Sequence, residues 1–345
     1  MDEFFDFVIE KYSWLIDSYM TRYFVDDLWS KLPVSWQLAL QNIEPEECTC
    51  LVNASAPSQR IVLPLALLCL KTLVASLPPR EAVTSPAAVA RSCGIEVETP
   101  QDFHNITSAN NLRTKLKPKK QYEIDRIVTT VELLRRRNPG QRALLIGLHP
   151  CGDLSASILR IFTRSPKVTT MILFGCCYHK LSTVEEEASC SQPHSAYRMQ
   201  CYRAVLESLI TQSHDEEICK QRSSIVVHSV VGRDGITFEE YMRPALAKYP
   251  EIVEALEEQL KHDEESRRII ASVDSEWRRF LVVHCLRLIL APIVEQIIIK
   301  DRVQYLEECG HSVAVVPLFD PKISPRNFAI IAMKDSVLLI DLLYI

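Results

Sequence analysis

The chain has 345 residues, 47% of them hydrophobic and 24% charged, with a formal net charge of −5. That length buries a full core and holds two or three domains. The negative balance excludes global attraction to nucleic acid, so any RNA contact needs a local basic patch. Met1-Asp2-Glu3 opens acidic, without a signal-peptide pattern. The twelve cysteines are therefore expected as reduced thiols in the cytosol or nucleus, and secretion is not expected.

Residues 3 to about 80 read as helical, with aromatic and aliphatic residues at helical spacing from Phe4 to Tyr23. Residues 45–60 are polar and carry prolines, so a loop is expected. Ile61 to Leu77 is apolar but broken by Pro64 and Lys71, which speaks against a membrane span. Residues 79–112 are rich in Pro, Ser, Thr and Asn and read as a linker. The expected division is a helical region with linker over 1–112 and an αβ domain over 113–345.

A helix follows over Lys120 to Arg137. Ala143 to Ile146 and Met171 to Phe174 are short apolar runs that read as strands buried on both faces. Leu154 to Arg164 between them has helical spacing, with Leu154, Ile158, Leu159 and Phe162 on one side. The remaining expectations are a helix over Ala196 to Thr211, a strand over Ser223 to Val230, and helix over Phe238 to His262 broken near Pro250. A long helix over Glu276 to Cys309 comes next, kinked near Pro292. Its apolar stretch Phe280 to Ile299 contains His284, Arg287, Pro292 and Glu295, so it reads as a core helix and no membrane partner is expected. Strands over Ser312 to Leu318 and Phe328 to Met333 flank a long loop.

The chemistry lies after the two apolar runs. The first is followed by Gly147-Leu148-His149-Pro150-Cys151-Gly152-Asp153-Leu154, the second by Gly175-Cys176-Cys177-Tyr178-His179-Lys180. Loops at the carboxyl ends of parallel strands carry ligands. One βαβ unit thus places two imidazoles, three thiols and a carboxylate on one rim. Asp153 or His149 can take a proton from an acceptor hydroxyl or amine, or Asp153 can serve only as a helix cap. Tyr178 can stack a base or cap the core. The cysteines can be small apolar fillers. His149, Cys151, Cys176, Cys177 and His179 are metal-ligand types, but adjacent cysteines do not readily share one ion and no C-x2-C knuckle occurs, so no metal is expected.

The motifs GLHPCGDLS and GCCYHKLS, the upstream Lys117-Pro118-Lys119-Lys120-Gln121-Tyr122-Glu123, and the downstream Pro317-Leu318-Phe319-Asp320-Pro321 with Ser324-Pro325-Arg326-Asn327 resemble the methyltransferase-like protein 25 family. The likeness runs from the N-terminal helices to about Lys334. A more distant likeness is to a tRNA 2′-O-methyltransferase family. The resemblance implies an α/β, Rossmann-like class I methyltransferase domain that uses S-adenosylmethionine, with RNA as the substrate class. It implies catalytic roles for His149, Cys151, Asp153, Cys177, Tyr178 and His179. It places Lys119, Lys120, Glu123 and Gly147 on the cofactor side, and Arg326 and Asn327 on the substrate side. Read from the residues alone, Lys119 and Glu123 are an i,i+4 surface pair. Arg326 and Asn327 contact phosphate or base, or only brace the hairpin. Arg113 to Lys120 and Arg135-Arg136-Arg137 are basic patches or ordinary solvated surface.

The chain departs from the family at one place. The family pattern puts a turn of the form D-x-G-x-G-x-G shortly after the PKKxxE helix, where glycine lets the backbone approach the cofactor. Here that helix runs through Asn138-Pro139-Gly140 straight into the GLHPCGDL strand, and no two of the eight glycines have G-x-G spacing. The missing strands and crossovers amount to about 60 residues at about 30 per βαβ unit. GLHPCG itself has His149 where the middle glycine of such a turn belongs, and no acidic residue ends the next strand. The domain is therefore expected to be incomplete and its cofactor binding weak or absent. The alternative to an active methyltransferase is a non-enzymatic splice form or paralogue. Without its neighbour, Ala143 to Ile146 becomes a sheet edge that only Arg142 guards, so association or a protein partner covering the edge is expected.

Overall fold

The structure is a computed structural model describing residues 2–52, 62–77, 86–93, 117–137, 143–148, 150, 153–175, 194–213, 215–233, 235–324 and 327–334. The chain divides into two compact units, each made of two segments: 1–76 with 187–290, and 77–186 with 291–345. Residues 187–290, placed by sequence order with the αβ region, thus pack with the N-terminal helices. Sequence order alone does not reveal such a return.

The first unit is helical. It contains α1 (Asp2–Ile16), α2 (Val34–Leu40), α3 (Cys48–Val52) and α4 (Leu65–Ala75). In the other unit lie α5 (Pro86–Ser92), inside the expected linker, and α6 (Pro118–Arg137), β1 (Ala143–Gly147), α7 (Asp153–Arg164) and β2 (Val168–Phe174). The chain then returns to the first unit with α8 (His194–Thr211), α9 (Glu216–Gln221), α10 (Phe238–Ala245) and α11 (Pro250–His262). The long α12 (Glu264–Glu308) contributes residues to both units, and β3 (Ser312–Pro317) and β4 (Phe328–Met333) complete the second.

In the helical unit Tyr12 stacks on Trp36 with ring centroids 5.8 Å apart. Tyr23 donates to Glu276 Oε2 at 3.0 Å and meets Phe280 edge-on at 5.3 Å. Burial and the Glu276 carboxylate push the Tyr23 hydroxyl pKa far up, so it stays protonated as a donor. Arg287 Nε donates to the Leu15 carbonyl at 3.2 Å, which gives a buried guanidinium a partner. Thr237 and Glu240 form a capping box at the start of α10. One helix among the described residues, α12, is long and apolar enough to cross a membrane, and 72% of its most apolar window is buried within the protein. It runs unbroken as helix through Pro292.

Besides α3, which falls in the expected loop 45–60, and α5 in the expected linker, two further elements differ from the sequence reading. α12 begins twelve residues before Glu276, because Asp263 caps it: its Oδ1 accepts from the Glu265 amide at 3.1 Å. Ser223 to Val230 is not a strand. A short 3-10 turn at Arg222–Ser224 is followed by unpaired chain. The segment is held singly instead, by His228 N–H to the Ala245 carbonyl at 2.8 Å and by Arg203 Nη1 to the Val227 carbonyl at 3.1 Å.

The second unit carries a four-stranded sheet in the order β1-β2-β4-β3. β1 and β2 are parallel, and β4 is antiparallel to both β2 and β3. Residues of β2 and β4 alternate between two cores, as the two-residue period of a strand requires. Ile172, Phe174, Ala329 and Ile331 face Val89 and Cys93 beside α5 and Ile127, Leu133 and Leu134 of α6. Met171, Leu173, Ile330 and Ala332 face Ile158, Leu159 and Phe162 of α7 and Ile299 and Leu306 of α12. With both faces covered, the strands read as unbroken apolar runs. This is an α/β, class I methyltransferase-like layering built on four strands. β1 lies at an end of the sheet, and its one partner among the described residues is β2.

Candidate functional site on the sheet rim

β1, β2 and β3 all point the same way, since each is parallel to β2 or antiparallel to β4. Their carboxyl ends, Gly147, Phe174 and Pro317, define one rim. The loop from Leu318 to Asn327 lies on it and is compact. The Leu318 amide donates to the Asn327 carbonyl at 2.7 Å, and the Ser324 amide to the Asp320 carbonyl at 2.8 Å. Asp320 Oδ1 accepts from the Lys322 amide at 2.9 Å. At the end of β2 the Gly175 amide reaches the Phe328 carbonyl at 3.4 Å.

The first turns of α6 close onto this loop. Pro118 opens the helix, where its fixed φ and missing N–H cost nothing. Tyr122, Glu123 and Arg126 lie within one turn of each other and face the loop. The Asp320 amide donates to the Tyr122 hydroxyl at 2.7 Å, and Arg126 Nε donates to the Leu318 carbonyl at 2.9 Å. Ser324 Oγ donates to Glu123 Oε1 at 2.9 Å, while Lys120 Nζ donates to Oε2 at 3.0 Å. Phe319 stacks on Phe174 at 4.9 Å and lies 6.2 Å from the Tyr122 ring, which ties the loop to β2 and α6 together.

Burial alone would raise the Glu123 carboxyl. The hydrogen bonds from Lys120 and Ser324, with the charges of Lys120 and Lys119, outweigh burial and hold it below its ordinary value. Burial lowers the Arg126 pKa, against the smaller opposing effect of Tyr122. Both groups stay charged near neutral pH.

Lys119, Lys120 and Glu123 were expected on the cofactor side and Asn327 on the substrate side; the structure places Lys120, Glu123 and the loop that Asn327 closes next to one another. Lys119 is exposed at the start of α6. Asn327 is fully buried, and its main-chain carbonyl closes the loop. Gly147 ends β1 packed inward: a Cβ there would lie 2.7 Å from Leu173 Cδ1 and 3.0 Å from Ile158 Cδ1. Asp153 is the exposed first residue of α7, where a carboxylate suits the positive helix end. His149, Cys151, Cys177, Tyr178, His179 and Arg326 lie outside the described residues. Tyr122, Arg126, Asp320 and Ser324 were not singled out from sequence. The i,i+4 spacing of Tyr122 and Arg126 was a legible signal of a shared face.

The adenosine half of S-adenosylmethionine needs a glycine turn that the ligand can approach closely. The glycine at the end of β1 has its open side filled by Leu173 and Ile158, so it is no cradle for a ligand backbone approach. No described residue run supplies a G-x-G turn. The described rim therefore does not fit the adenosine half of the cofactor. Among the described residues no group of three or more His, Cys, Asp or Glu side chains is placed to hold a metal ion.

A family described as Methyltransferase domain matches residues 83–184, a stretch that includes α5, α6, β1, α7 and β2. Probable methyltransferase-like protein 25 of Mus musculus is 29% identical over 235 residues, covering 56% of this chain and 38% of the relative. The Homo sapiens protein of the same name is 27% identical over 234 residues, covering 56% and 37%. The chain thus spans less than two fifths of the length of the curated relatives it matches. No solved structure matches the chain significantly. Residues 83–184 thus resemble a methyltransferase domain, and the chain is similar over 56% of its length to the methyltransferase-like protein 25 proteins.

Proposed function

We propose that this chain comes from an S-adenosylmethionine-dependent methyltransferase acting on RNA, in the cytosol or nucleus, and that its rim serves the acceptor side of that reaction. The observation that carries the RNA reading is electrostatic. Lys117, Lys119 and Lys120 are exposed around the first turn of α6, which holds no acidic residue. Cations are disfavoured at the positive end of a helix; Glu123 accounts for Lys120, and an anionic ligand would account for Lys117 and Lys119. Backbone phosphates are such anions, and base-stacking or hydrogen-bonding groups beside them complete an acceptor site. Asp153, exposed on the same rim, is the described residue available to take a proton from the acceptor.

A second reading, a non-enzymatic binding protein, is favoured for the chain on its own by one observation. Among the described residues β1 ends the sheet where the family fold continues into the cofactor half, and no G-x-G turn exists in the sequence. Transfer of labelled methyl from S-adenosylmethionine to RNA separates the readings. It is measured on this chain and on a chain carrying the corresponding segment of a methyltransferase-like protein 25 relative between Arg137 and Gln141. Transfer only with the added segment supports both parts of the account. Transfer by the unaided chain rejects the non-enzymatic reading, and no label in RNA from either rejects RNA as substrate.

A further inference from the structure

The β1 end of the sheet is apolar in all three layers. On the strand itself, Ile146 is 39% exposed and Leu148 beyond it 44%. On α7, Leu154 and Ile161 are 53% and 52% exposed and lie seven residues apart, on one side of the helix. That side is the one away from α12, because Ser155 and Thr163, on the opposite flank, meet Arg302 at 2.7 Å and Tyr305 at 3.3 Å. On α6, Val128 is 38% exposed, on the flank opposite Tyr122 and Arg126, which bind the Leu318–Asp320 loop. A stripe of uncovered aliphatic residues therefore borders both sides of a strand whose outer amides and carbonyls have no strand partner among the described residues. No charge lies within Ala143 to Leu148 to blunt the edge.

We propose that this edge is a docking surface for a second copy of the chain, with β1 pairing antiparallel to β1 of the other copy about a two-fold axis. The edge is self-complementary in three ways. An apolar strand pairs with itself through main-chain bonds alone, in the manner of β-augmentation. The same two-fold makes the two α7 helices antiparallel, so Leu154 of one copy meets Ile161 of the other. It also brings Asp153, at the amino end of α7, against Arg160 and Arg164, exposed near its carboxyl end. Opposite charges at opposite ends of one helix face favour antiparallel self-association and disfavour the parallel arrangement. The result is one eight-stranded sheet with its helical layers continued across the joint, and it removes the exposed edge. The inference does not rest on the RNA reading.

Sedimentation of the full chain at about 10 µM tests it, a concentration at which a dimer with a Kd of about 1 µM is mostly assembled. The expected species has twice the chain mass of 39.4 kDa. Ile146→Lys and the double variant Leu154→Lys/Ile161→Lys change only exposed positions, and each is expected to give a monomer with an unchanged circular dichroism spectrum. Arg164→Asp is expected to weaken the dimer, and Asp153→Arg in the same chain to restore it. Hydrogen exchange on the unmodified chain is the independent readout: outward amides of residues 143–147 are protected in the dimer and lose protection on dilution. A monomeric unmodified chain, a dimer that survives both lysine variants, or a dimer whose β1 amides exchange freely overturns the proposal.

Discussion

Ser324 Oγ donates to Glu123 Oε1 at 2.9 Å, joining positions 201 residues apart in the chain. The bond locks the β3–β4 loop onto the start of α6, and with it the positions of the rim lysines. Ser324 is 2% exposed, so nothing replaces it when the hydroxyl is removed. Ser324→Ala is expected to cost about 1.5–3 kcal/mol, the range for losing a bond to a charged acceptor. The denaturant midpoint measures it, and an unchanged midpoint would show that the loop is held without this bond.

The pH dependence of the same contact has a definite sign. The folded Glu123 carboxyl sits below its ordinary value of 4.5. Its contribution to stability is therefore fully present above about pH 4.5 and is lost as the pH falls through the folded value. Glu123→Gln keeps the shape and removes the charge. The stability gap between the unmodified chain and Glu123→Gln should shrink as pH drops below 4.5, read by chemical denaturation across that range. A gap independent of pH would show that the Glu123 charge does not stabilise the rim.

Gly147 makes a packing prediction. A methyl group there would press on Leu173 and Ile158, both buried. Gly147→Ala should destabilise by about 1–3 kcal/mol, as overpacking does. A neutral or stabilising effect would mean that the joint between β1, β2 and α7 is looser than the structure has it.

Most of the sheet unit was legible from local pattern. The runs at Ala143, Met171, Ser312 and Phe328 read as strands and α6 and α7 as helices, because apolar period and turn residues act over a few positions. Ser223 to Val230 has the same β-branched composition but no strand beside it among the described residues. Composition reports a preference for extended chain and carries no information about the partner that pairing needs. The early start of α12 was written in Asp263-Glu264-Glu265, an amino-cap signal outweighed by the polar stretch that follows. Of the candidate site, the PKKQYE motif pointed to Lys120 and Glu123, but the pair read from spacing was Lys119 with Glu123, and the bonded pair is Lys120 with Glu123. The tie to Ser324 was not legible, since it depends on tertiary folding and not on spacing. The return of residues 187–290 to the helical unit escaped for the same reason.

The lysines at the start of α6 give a prediction of their own. Replacing Lys117, Lys119 and Lys120 together by Ala should weaken single-stranded RNA binding and lower the slope of log affinity against log salt by about 2, at about 0.7 per phosphate neutralised. The triple variant also loses the Lys120–Glu123 bond, so a small drop in melting temperature is expected and binding is compared well below it. Unchanged RNA affinity would remove the electrostatic basis of the RNA reading.

Asp153 is tested in the chain restored with the relative's segment. Asp153→Asn should cut methyl transfer while leaving thermal stability nearly intact, because the side chain is exposed. Equal loss of stability and turnover would assign Asp153 to capping α7 alone.

No G-x-G turn in the chain can cradle S-adenosylmethionine, so the chain on its own is expected not to bind it. Isothermal titration of the unmodified chain with S-adenosylmethionine measures this directly. No saturable heat is expected, with a Kd of about 1 mM or weaker. A stoichiometric isotherm with a micromolar Kd would contradict it, and would mean that GLHPCG or a second copy of the chain supplies the turn.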